Sequence, residues 1–518
     1  MGGRAPPGAI DLCWLPAISD WDQRLGALAE VRTLEAAWPE LVALANARLS
    51  YVRTARLDRE LCRLSRSATA AEMAEPLRLA VLGSSTFSHL SASLRVAALR
   101  RGLRLVVYEG AYGQYWQELQ DPNSALHQFR PGAVLFAFDA EHLTRGLGAG
   151  DDAVTASALI KDRLGQLDAC WSLAKDAFGC ILLQQTALPV FPALLGSNEH
   201  RLPGSRHRMI GVLNAALREQ ADVAGVDLIA VDQRAATDGL AAWHDRPFWH
   251  HGKQEISPGA APLYGDLVLR VIAARSGLAR KCLVLDLDDT LWGGTVSEDG
   301  VEGLVLGQGS ATGEAFLSVQ RYASDLARRG IILAVCSKND EAVALNAFQS
   351  LPEMLIGRSD IACFMANWRA KAENLRDIAE TLRIGLDAMV FLDNDPSERR
   401  LVREALPTVA VPEISDDPAT WAALLADSGY FEAVQLTEED RQRAHLYQLL
   451  SSPGTGGASP SQSSRSLEAL GFELVCRPID AVSLARAVQL INKTNQFNLT
   501  TRRKPCDARA PPAMKISH

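Results

Sequence analysis

The stretch LVLDLDDT, residues 283–290, decides the fold of this chain. Its apolar residues predict a buried strand, and three aspartates and a threonine follow within residues 286–290. Parallel α/β sheets bind ligands at the carboxyl ends of their strands, so acidic residues at this place indicate a functional site. Crowded carboxylates repel one another unless a cation neutralises them, and Mg²⁺ prefers such oxygen ligands. An acidic turn after a core strand is the alternative, but the apolar strand and the following sequence TLWGG favour function.

Composition and charge narrow the class of protein. The chain has 518 residues, of which 47% are hydrophobic, and a net charge of −8. This length predicts about two to four domains, and the acidic balance argues against nucleic acid as a partner. The nine cysteines are scattered without a CxxC pair, which indicates reduced thiols in a cytoplasmic protein. We expect neither a signal peptide nor a membrane partner.

The first half of the chain predicts a helical lead-in over residues 1–76 and then an α/β domain over residues 77–277. From residue 77 onward strands alternate with helices, which indicates a parallel, doubly wound sheet. The predicted strands cover residues 77–82, 103–108, 133–138, 179–184 and 226–231. The predicted helices cover residues 88–101, 153–177, 204–224 and 261–276.

Candidate reactive residues of this first α/β domain lie at its first strand-to-helix turn. Ser84 and Ser85 stand there, and histidines follow later in the chain. The arrangement resembles the SGNH-hydrolase and flavodoxin-like folds. The SGNH pattern begins Gly-Asp-Ser, whereas Gly83 is followed here by two serines, and Asp245 lies five residues before His250. We therefore favour a degenerate domain that docks a partner over an active hydrolase.

A second α/β domain is predicted over residues 279–415. Its predicted strands cover residues 282–286, 331–336, 389–393 and 408–411, and its helices residues 312–329, 340–351 and 371–382. The remaining sequence predicts a helical segment over residues 416–450 and a flexible linker over 451–466. A short α/β segment over 467–503 and a disordered tail over 504–518 complete the prediction.

Four pieces of the second domain follow its strands in an order that suits phosphoryl transfer. They are residues 286–290, residues 335–339 (VCSKN), Lys371 and residues 391–396 (FLDNDP). A carboxylate can attack phosphorus, and a second acid two residues later can move the proton. A hydroxyl and an ammonium can hold the phosphate oxygens, and a cation removes the repulsion between anions.

This order resembles the haloacid dehalogenase superfamily of phosphotransferases. The resemblance implies that Asp286 is the nucleophile and Asp288 the general acid/base. Phosphate would contact Thr290, Ser337 and Lys371. Magnesium would be held by Asp286, the backbone carbonyl of Asp288, Asp393 and either Asn394 or Asp395.

The motifs LVLDLDDTLWGG (283–294), CSKND (336–340), FLDNDPSE (391–398) and NKTNQFNLTT (492–501), together with Asn367-Trp368 and Lys371, resemble the FkbH family. The resemblance implies an enzyme that loads a glyceryl unit from 1,3-bisphosphoglycerate onto an acyl carrier protein and removes the phosphate. Such an enzyme serves polyketide-type biosynthesis, in which methoxymalonyl or tetronate units are made. The partners would be the carrier's phosphopantetheine thiol and a phosphorylated three-carbon substrate. In that family the last motif opens an acetyltransferase-like domain, so we expect residues 467–503 to form its incomplete start.

Three alternatives remain open on the sequence. Cys336 either carries an enzyme thioester, with a pKa lowered by nearby cations, or is a buried packing residue. The protein could be a plain small-molecule phosphatase or a non-catalytic scaffold that docks the carrier. A basic rim for an acidic carrier is the third open point, and its candidate residues are Arg280, Lys281, Arg399 and Arg400.

Overall fold

The computed structural model describes residues 10–66 and 75–450. Contacts divide the described residues into two compact units, the first within residues 10–12 and 17–272, the second within 13–16 and 273–450. Each unit is built around its own parallel sheet. The predicted fold class, α/β with two parallel doubly wound sheets, is confirmed. The predicted C-terminal α/β segment, linker and tail lie outside the described residues.

The sheet of the first unit has the order β2-β1-β3-β4-β5, and all its strand pairs are parallel. Its strands are β1 (Leu77–Gly83), β2 (Leu105–Glu109), β3 (Ala133–Ala137), β4 (Ile181–Gln185) and β5 (Asp227–Ile229). The central strands β1 and β3 are apolar and mostly buried, as expected for strands covered on both faces. All five predicted strands of this unit are therefore present.

Helices surround this sheet and precede it. The lead-in contains α1 (Trp21–Ala27), α2 (Leu34–Ala45) and α3 (Tyr51–Ser65), with a short 3₁₀ turn at Leu28–Glu30. The helices between the strands are α4 (Ser91–Arg100), α5 (Tyr115–Gln120), α6 (Ala125–Phe129), α7 (Ala140–Leu143), α8 (Ala153–Phe178) and α9 (Arg206–Ala224). After β5 come α10 (Val231–Asp238), α11 (Leu240–Trp243), α12 (Arg246–Gly252) and α13 (Ala261–Arg275). The longest helix, α8, begins where Asp152 accepts a hydrogen bond from Thr155 N and ends at Gly179, whose φ is +56°.

The sheet of the second unit has the order β8-β7-β6-β9, again with every pair parallel. Its strands are β6 (Cys282–Leu285), β7 (Ile332–Ser337), β8 (Ile361–Ala366) and β9 (Met389–Leu392). Its helices are α14 (Val296–Gly303), α15 (Ala311–Arg328), α16 (Glu341–Ser350), α17 (Lys371–Leu382), α18 (Pro396–Ala405), α19 (Trp421–Asp427) and α20 (Glu438–Leu450). Side chains of β6 alternate between two apolar cores: Leu283 and Leu285 pack in one, Cys282 and Val284 in the other. Both faces of the sheet are therefore covered.

Two strand predictions of the second unit need correction. Strand β8 (Ile361–Ala366) was not predicted, and it forms the edge of the sheet beside β7. The predicted strand at residues 408–411 is instead one isolated bridge between Val390 and Ala410. Pro407 and Pro412 flank this segment, and since proline has no N–H, a longer ladder cannot form there.

Within the described ranges, with their gap at residues 67–74, no helix combines the length and apolarity that a bilayer crossing needs.

Candidate active site of the second unit

The first element of the site is the turn that follows β6. Asp286 N donates to Leu392 O at 3.0 Å, so the chain stays paired with β9 one residue beyond the strand. The turn then closes through a hydrogen bond of 3.0 Å from Thr290 N to Leu287 O. Asp289 has a φ of +48° and accepts a hydrogen bond from Gly294 N at 2.7 Å. This turn leaves the Asp286 side chain buried, at 6% exposure, at the carboxyl end of the sheet.

Lys371 brings two of the predicted carboxylates together. It is the first residue of α17, and its Nζ donates to Asp286 Oδ2 at 2.8 Å and to Asp393 Oδ2 at 2.6 Å. Burial alone would lower the pKa of Lys371, but the charges of the two aspartates outweigh it and raise that pKa. Burial and the neighbouring Asp286 raise the pKa of Asp393 to about 6. The three side chains form one buried charge cluster in which negative charge exceeds positive charge.

The carboxylate of Asp288 is engaged by a different set of donors. Its Oδ1 accepts from Trp292 Nε1 at 3.0 Å and from Val296 N at 3.1 Å, and its Oδ2 accepts from Asn339 Nδ2 at 2.8 Å. Asn339 also donates to Ser337 Oγ at 3.3 Å. Trp292 and Asn339 were not predicted as site residues. Both lie inside the quoted motifs, within four residues of a predicted site residue, and that position was the signal available in the sequence.

Ser337 and Cys336 are the last residues of β7, and alternation along the strand separates their side chains. Ser337 is 2% exposed and contacts Asn339. Cys336 is 0% exposed and packs in the apolar core with Val284, its Sγ 3.8 Å from the backbone oxygen of Lys371. The expectation of a lowered pKa for this thiol is wrong. Burial raises the pKa of Cys336, and the charge of Lys371 offsets only part of that increase.

Thr290 connects the turn after β6 to the loop after β9. Its Oγ1 accepts from Asn394 N at 3.3 Å and lies 3.4 Å from Asn394 Oδ1. Asp395 is exposed and caps α18, since its Oδ1 accepts from Ser397 N at 2.8 Å. The sequence left open whether Asn394 or Asp395 supports the metal. Of these two residues, it is Asn394 that contacts Thr290.

Arg399 forms hydrogen bonds with the backbone of the loop after β9. It donates to the backbone oxygens of Asp393 at 2.9 Å and Asn394 at 2.6 Å, and to Glu413 Oε1 at 2.5 Å. Its side chain is buried, so its assignment to an exposed basic rim is wrong. The neighbouring Arg400 is exposed. Of the other two rim candidates, Arg280 donates to the backbone oxygen of Thr408 at 3.0 Å, and Lys281 N donates to Ala388 O at 2.8 Å.

The carboxylates of this site suit a divalent cation. Asp286 Oδ1 is buried and has no hydrogen-bond partner, and burial together with the nearby Asp286 raises the pKa of Asp393. Within residues 10–66 and 75–450, no group of three or more His, Cys, Asp or Glu side chains is arranged to hold a metal. Two carboxylates with a backbone carbonyl are nevertheless enough for Mg²⁺, which keeps several waters and also binds phosphate oxygens.

The two serines that follow the first strand of the first unit, Ser84 and Ser85, are both buried. Ser84 Oγ donates to Asp139, and Ser85 Oγ is buried without a hydrogen-bond partner. In the described part of the chain, no hydrogen bond joins either serine to a histidine. His244 contacts the backbone oxygen of Glu255 at 2.9 Å, and His250 is exposed.

The four parallel strands of this unit have the order β8-β7-β6-β9. Four buried residues lie at or after the carboxyl ends of these strands: Asp286, Ser337, Lys371 and Asp393. This arrangement defines a haloacid dehalogenase-type domain. Residues 78–233 match the family model of the FkbH N-terminal domain. A solved structure, the N-terminal part of the protein BF1531 from Bacteroides fragilis, contains a phosphatase domain and was crystallised as a complex with Mg. It is 29% identical, has a TM-score of 0.68, and the match covers 75% of this chain and 100% of that chain. A search of curated proteins found no match. The two matches confirm the predicted resemblance to the FkbH family.

Proposed function

We propose that the second unit is a Mg²⁺-dependent phosphatase of the haloacid dehalogenase type. The observation that carries the proposal is the Lys371 ammonium between two buried carboxylates, with 2.8 Å to Asp286 and 2.6 Å to Asp393. Side chains with perturbed pKa values are often found at functional sites. Parallel sheets bind their ligands at the carboxyl ends of their strands, which is where this buried charge cluster lies. The Mg-bound phosphatase domain of the Bacteroides fragilis structure supports the same reaction.

The proposed roles follow from the contacts. Asp286 attacks phosphorus, and its unpartnered Oδ1 is available for this step or for the metal. Asp288 moves the proton, first to the leaving oxygen and then from water. Ser337 and Lys371 hold the phosphate oxygens. Asp286, the Asp288 carbonyl and Asp393, with Asn394 beside them, would hold Mg²⁺, which neutralises the repulsion between carboxylate and phosphate when bound.

The finer proposal is that the reaction loads a glyceryl unit from 1,3-bisphosphoglycerate onto an acyl carrier protein in the cytoplasm, for polyketide-type biosynthesis. The FkbH resemblance supports it. An exposed aromatic residue adds a physical argument: Trp368 is 70% exposed and lies three residues before Lys371. A large apolar side chain beside a polar site can pack against the phosphopantetheine arm of a carrier.

The phosphatase proposal is tested by phosphate release in the presence of Mg²⁺. Asp286→Asn removes the proposed nucleophile and keeps the size of the side chain, so we expect a loss of at least about 10³-fold. Asp289→Asn is the matched control, because Asp289 is exposed and asparagine tolerates its positive φ. We expect it to retain most of the activity. Equal phosphate release by Asp286→Asn and wild type would contradict the assignment of Asp286 as nucleophile, whereas no release by either protein would favour the docking scaffold.

The glyceryl-transfer proposal is tested by intact-mass measurement of a phosphopantetheinylated carrier after incubation with enzyme and acyl phosphate. We expect a mass gain of one glyceryl unit. Trp368→Ala should slow this loading while phosphate release from a small ester stays near wild type. Phosphate release without any mass gain would leave the plain small-molecule phosphatase as the function.

A further inference from the structure

Glu413 lies at the edge of the second unit's sheet, beside the strand that leads to Asp393. Val390 of β9 and Ala410 form a parallel bridge. Three residues further along these two segments come Asp393 and Glu413, respectively. Glu413 therefore reaches the carboxyl end of the sheet together with a proposed metal ligand. The roles proposed above do not use it.

The buried guanidinium of Arg399 connects Glu413 to the loop after β9. Its Nη2 donates to Glu413 Oε1 at 2.5 Å, while its Nη1 donates to the backbone oxygens of Asp393 and Asn394 at 2.9 and 2.6 Å. The side chain of Arg399 is 5% exposed and that of Glu413 is 32% exposed. Because a buried charge needs a fixed partner of opposite sign, the Glu413 carboxylate determines where this guanidinium can lie. The backbone of Asp393 is held by the same guanidinium.

Two further contacts fix Glu413 itself. Its Oε2 accepts from Arg403 Nη2 at 2.8 Å, and its backbone N–H donates to the backbone oxygen of Trp14 at 2.8 Å. Trp14 is 2% exposed and belongs to the segment 13–16, which packs with the second unit. Both the backbone and the carboxylate of Glu413 are therefore anchored.

We propose that Glu413 is a positioning residue that acts through Arg399 and holds the backbone of Asp393 where its carboxylate would bind Mg²⁺. The inference rests on the proposed function, because it takes Asp393 as a metal ligand. Mg²⁺ demands nearly ideal octahedral geometry, so a displaced ligand lowers its affinity. Loss of a group that orients a metal ligand typically lowers the affinity about 10- to 100-fold. Glu413 acts indirectly, which favours the lower end of this range.

The test measures the dissociation constant for Mg²⁺ by calorimetry on the full chain, together with the free energy of unfolding in metal-free buffer. We expect Glu413→Ala to weaken Mg²⁺ binding about 10-fold. Glu413→Gln keeps the size of the side chain and an oxygen that can accept from Arg399, and it should fold even if the alanine variant does not. Charge-assisted hydrogen bonds are roughly twice as strong as neutral ones, so we expect it to weaken binding about threefold.

Arg403→Met is the matched control, because it removes the contact with Glu413 Oε2 and leaves the bond between Arg399 and Glu413. In the described part of the chain, Arg403 forms no hydrogen bond with Asp393 or Asn394. We expect this variant to lose stability and to keep the wild-type dissociation constant for Mg²⁺. Equal weakening of Mg²⁺ binding in Arg403→Met and Glu413→Ala would show a purely structural role and overturn the inference. Wild-type affinity in both Glu413 variants would overturn it as well.

The binding measurement needs no turnover, so this inference and the proposed function can fail separately. Mg²⁺ binding that follows the expected order of variants, without any phosphate release by wild type, would refute the phosphatase and support the positioning role. Phosphate release by a wild type that binds no Mg²⁺ would overturn the positioning role.

Discussion

Lys371 Nζ lies 2.6 Å from Asp393 Oδ2, and both side chains are almost completely buried. The same ammonium lies 2.8 Å from Asp286 Oδ2, so one positive charge is shared by two negative ones. A buried charge that loses its partner is strongly destabilising, because water cannot replace the lost interaction. The geometry therefore gives Lys371 a part in stability as well as in the proposed phosphate binding.

We expect Lys371→Met to lower the free energy of unfolding by about 3–5 kcal/mol in metal-free buffer. Added Mg²⁺ should restore part of this loss, since the cation then neutralises the same two carboxylates. Thermal unfolding with and without Mg²⁺ measures both effects. Lys175→Met, an exposed lysine of α8, should change neither quantity. Unchanged metal-free stability of Lys371→Met would contradict the shared-charge interpretation.

Cys336 has two alternative roles, as the carrier of a thioester intermediate or as a packing residue of the core. The thiol is fully buried in an apolar core and its pKa is raised, so we expect Cys336→Ala to keep carrier loading and phosphate release. Its cost should be a cavity of one sulfur atom, about 1–2 kcal/mol in the free energy of unfolding.

The matched control is Cys282→Ala, because Cys282 is equally buried and packs in the same core. Intact-mass analysis of the carrier is the measurement. If Cys336→Ala alone lost carrier loading and still released phosphate, the thioester predicted from the sequence would be supported over packing.

The buried guanidinium of Arg399 joins the loop after β9 to Glu413. Arg399→Met keeps much of the side-chain volume and removes all its hydrogen bonds, so we expect a loss of about 2–4 kcal/mol in stability. Activity should fall as well, because the backbone that carries Asp393 loses its support. Arg400→Met is the control, since Arg400 is the next residue and is exposed. Urea unfolding curves of equal midpoint for the two variants would show that these bonds contribute nothing.

Glu255 gives the first unit a dependence of stability on pH. It is 2% exposed, and it accepts hydrogen bonds from Ala140 N at 3.3 Å and Gln185 Nε2 at 3.0 Å. Burial, and secondly the charge of Asp139, raise its pKa well above 4.5. The folded state then binds the proton more tightly than the unfolded state. Its stabilising contribution is complete below the unfolded pKa and is lost as pH rises through the folded pKa.

We therefore expect the stability of this unit to fall as pH rises above 4.5, by about 1.4 kcal/mol for each pKa unit between the two states. Glu255→Gln cannot ionise, so its stability should vary less with pH over the same range. Glu219→Gln, an exposed residue of α9, should keep the wild-type slope. The measurement is the urea midpoint of wild type and both variants from pH 4 to pH 8. The same dependence of the midpoint on pH in all three proteins would contradict the assignment to Glu255.

Most of the fold could be predicted from the sequence, because apolar runs mark its strands and glycines mark the ends of several helices. The predicted helix at residues 371–382 coincides with α17, and Gly179 ends α8 with a positive φ. Strand β8 was missed although IACFMA is apolar, since a run of six residues does not by itself distinguish a strand from a buried segment. Residues 408–411 have strand-like composition, but the flanking prolines limit them to one bridge.

In the candidate site, too, some features could be predicted from local sequence and others could not. The strand-end position of Asp286 and the helix start at Lys371 could be predicted, because they follow from local sequence order. The contacts of Asn339 with Asp288 depend on how two loops approach each other, which no local pattern encodes. The direction of the pKa of Cys336 was wrong because the prediction counted nearby charges and left out desolvation, which is the larger cause here.

The central position of β6 in the order β8-β7-β6-β9 has a consequence for folding. Asp286, Ser337 and Asp393 follow or end three neighbouring strands that are separated by long stretches of sequence. Such non-local pairings form late, after their loops have closed. No single strand of the unit carries the candidate site, because its carboxylates and hydroxyl come from three different strands. The site therefore forms only when these three strands have paired, so activity reports on completion of this sheet.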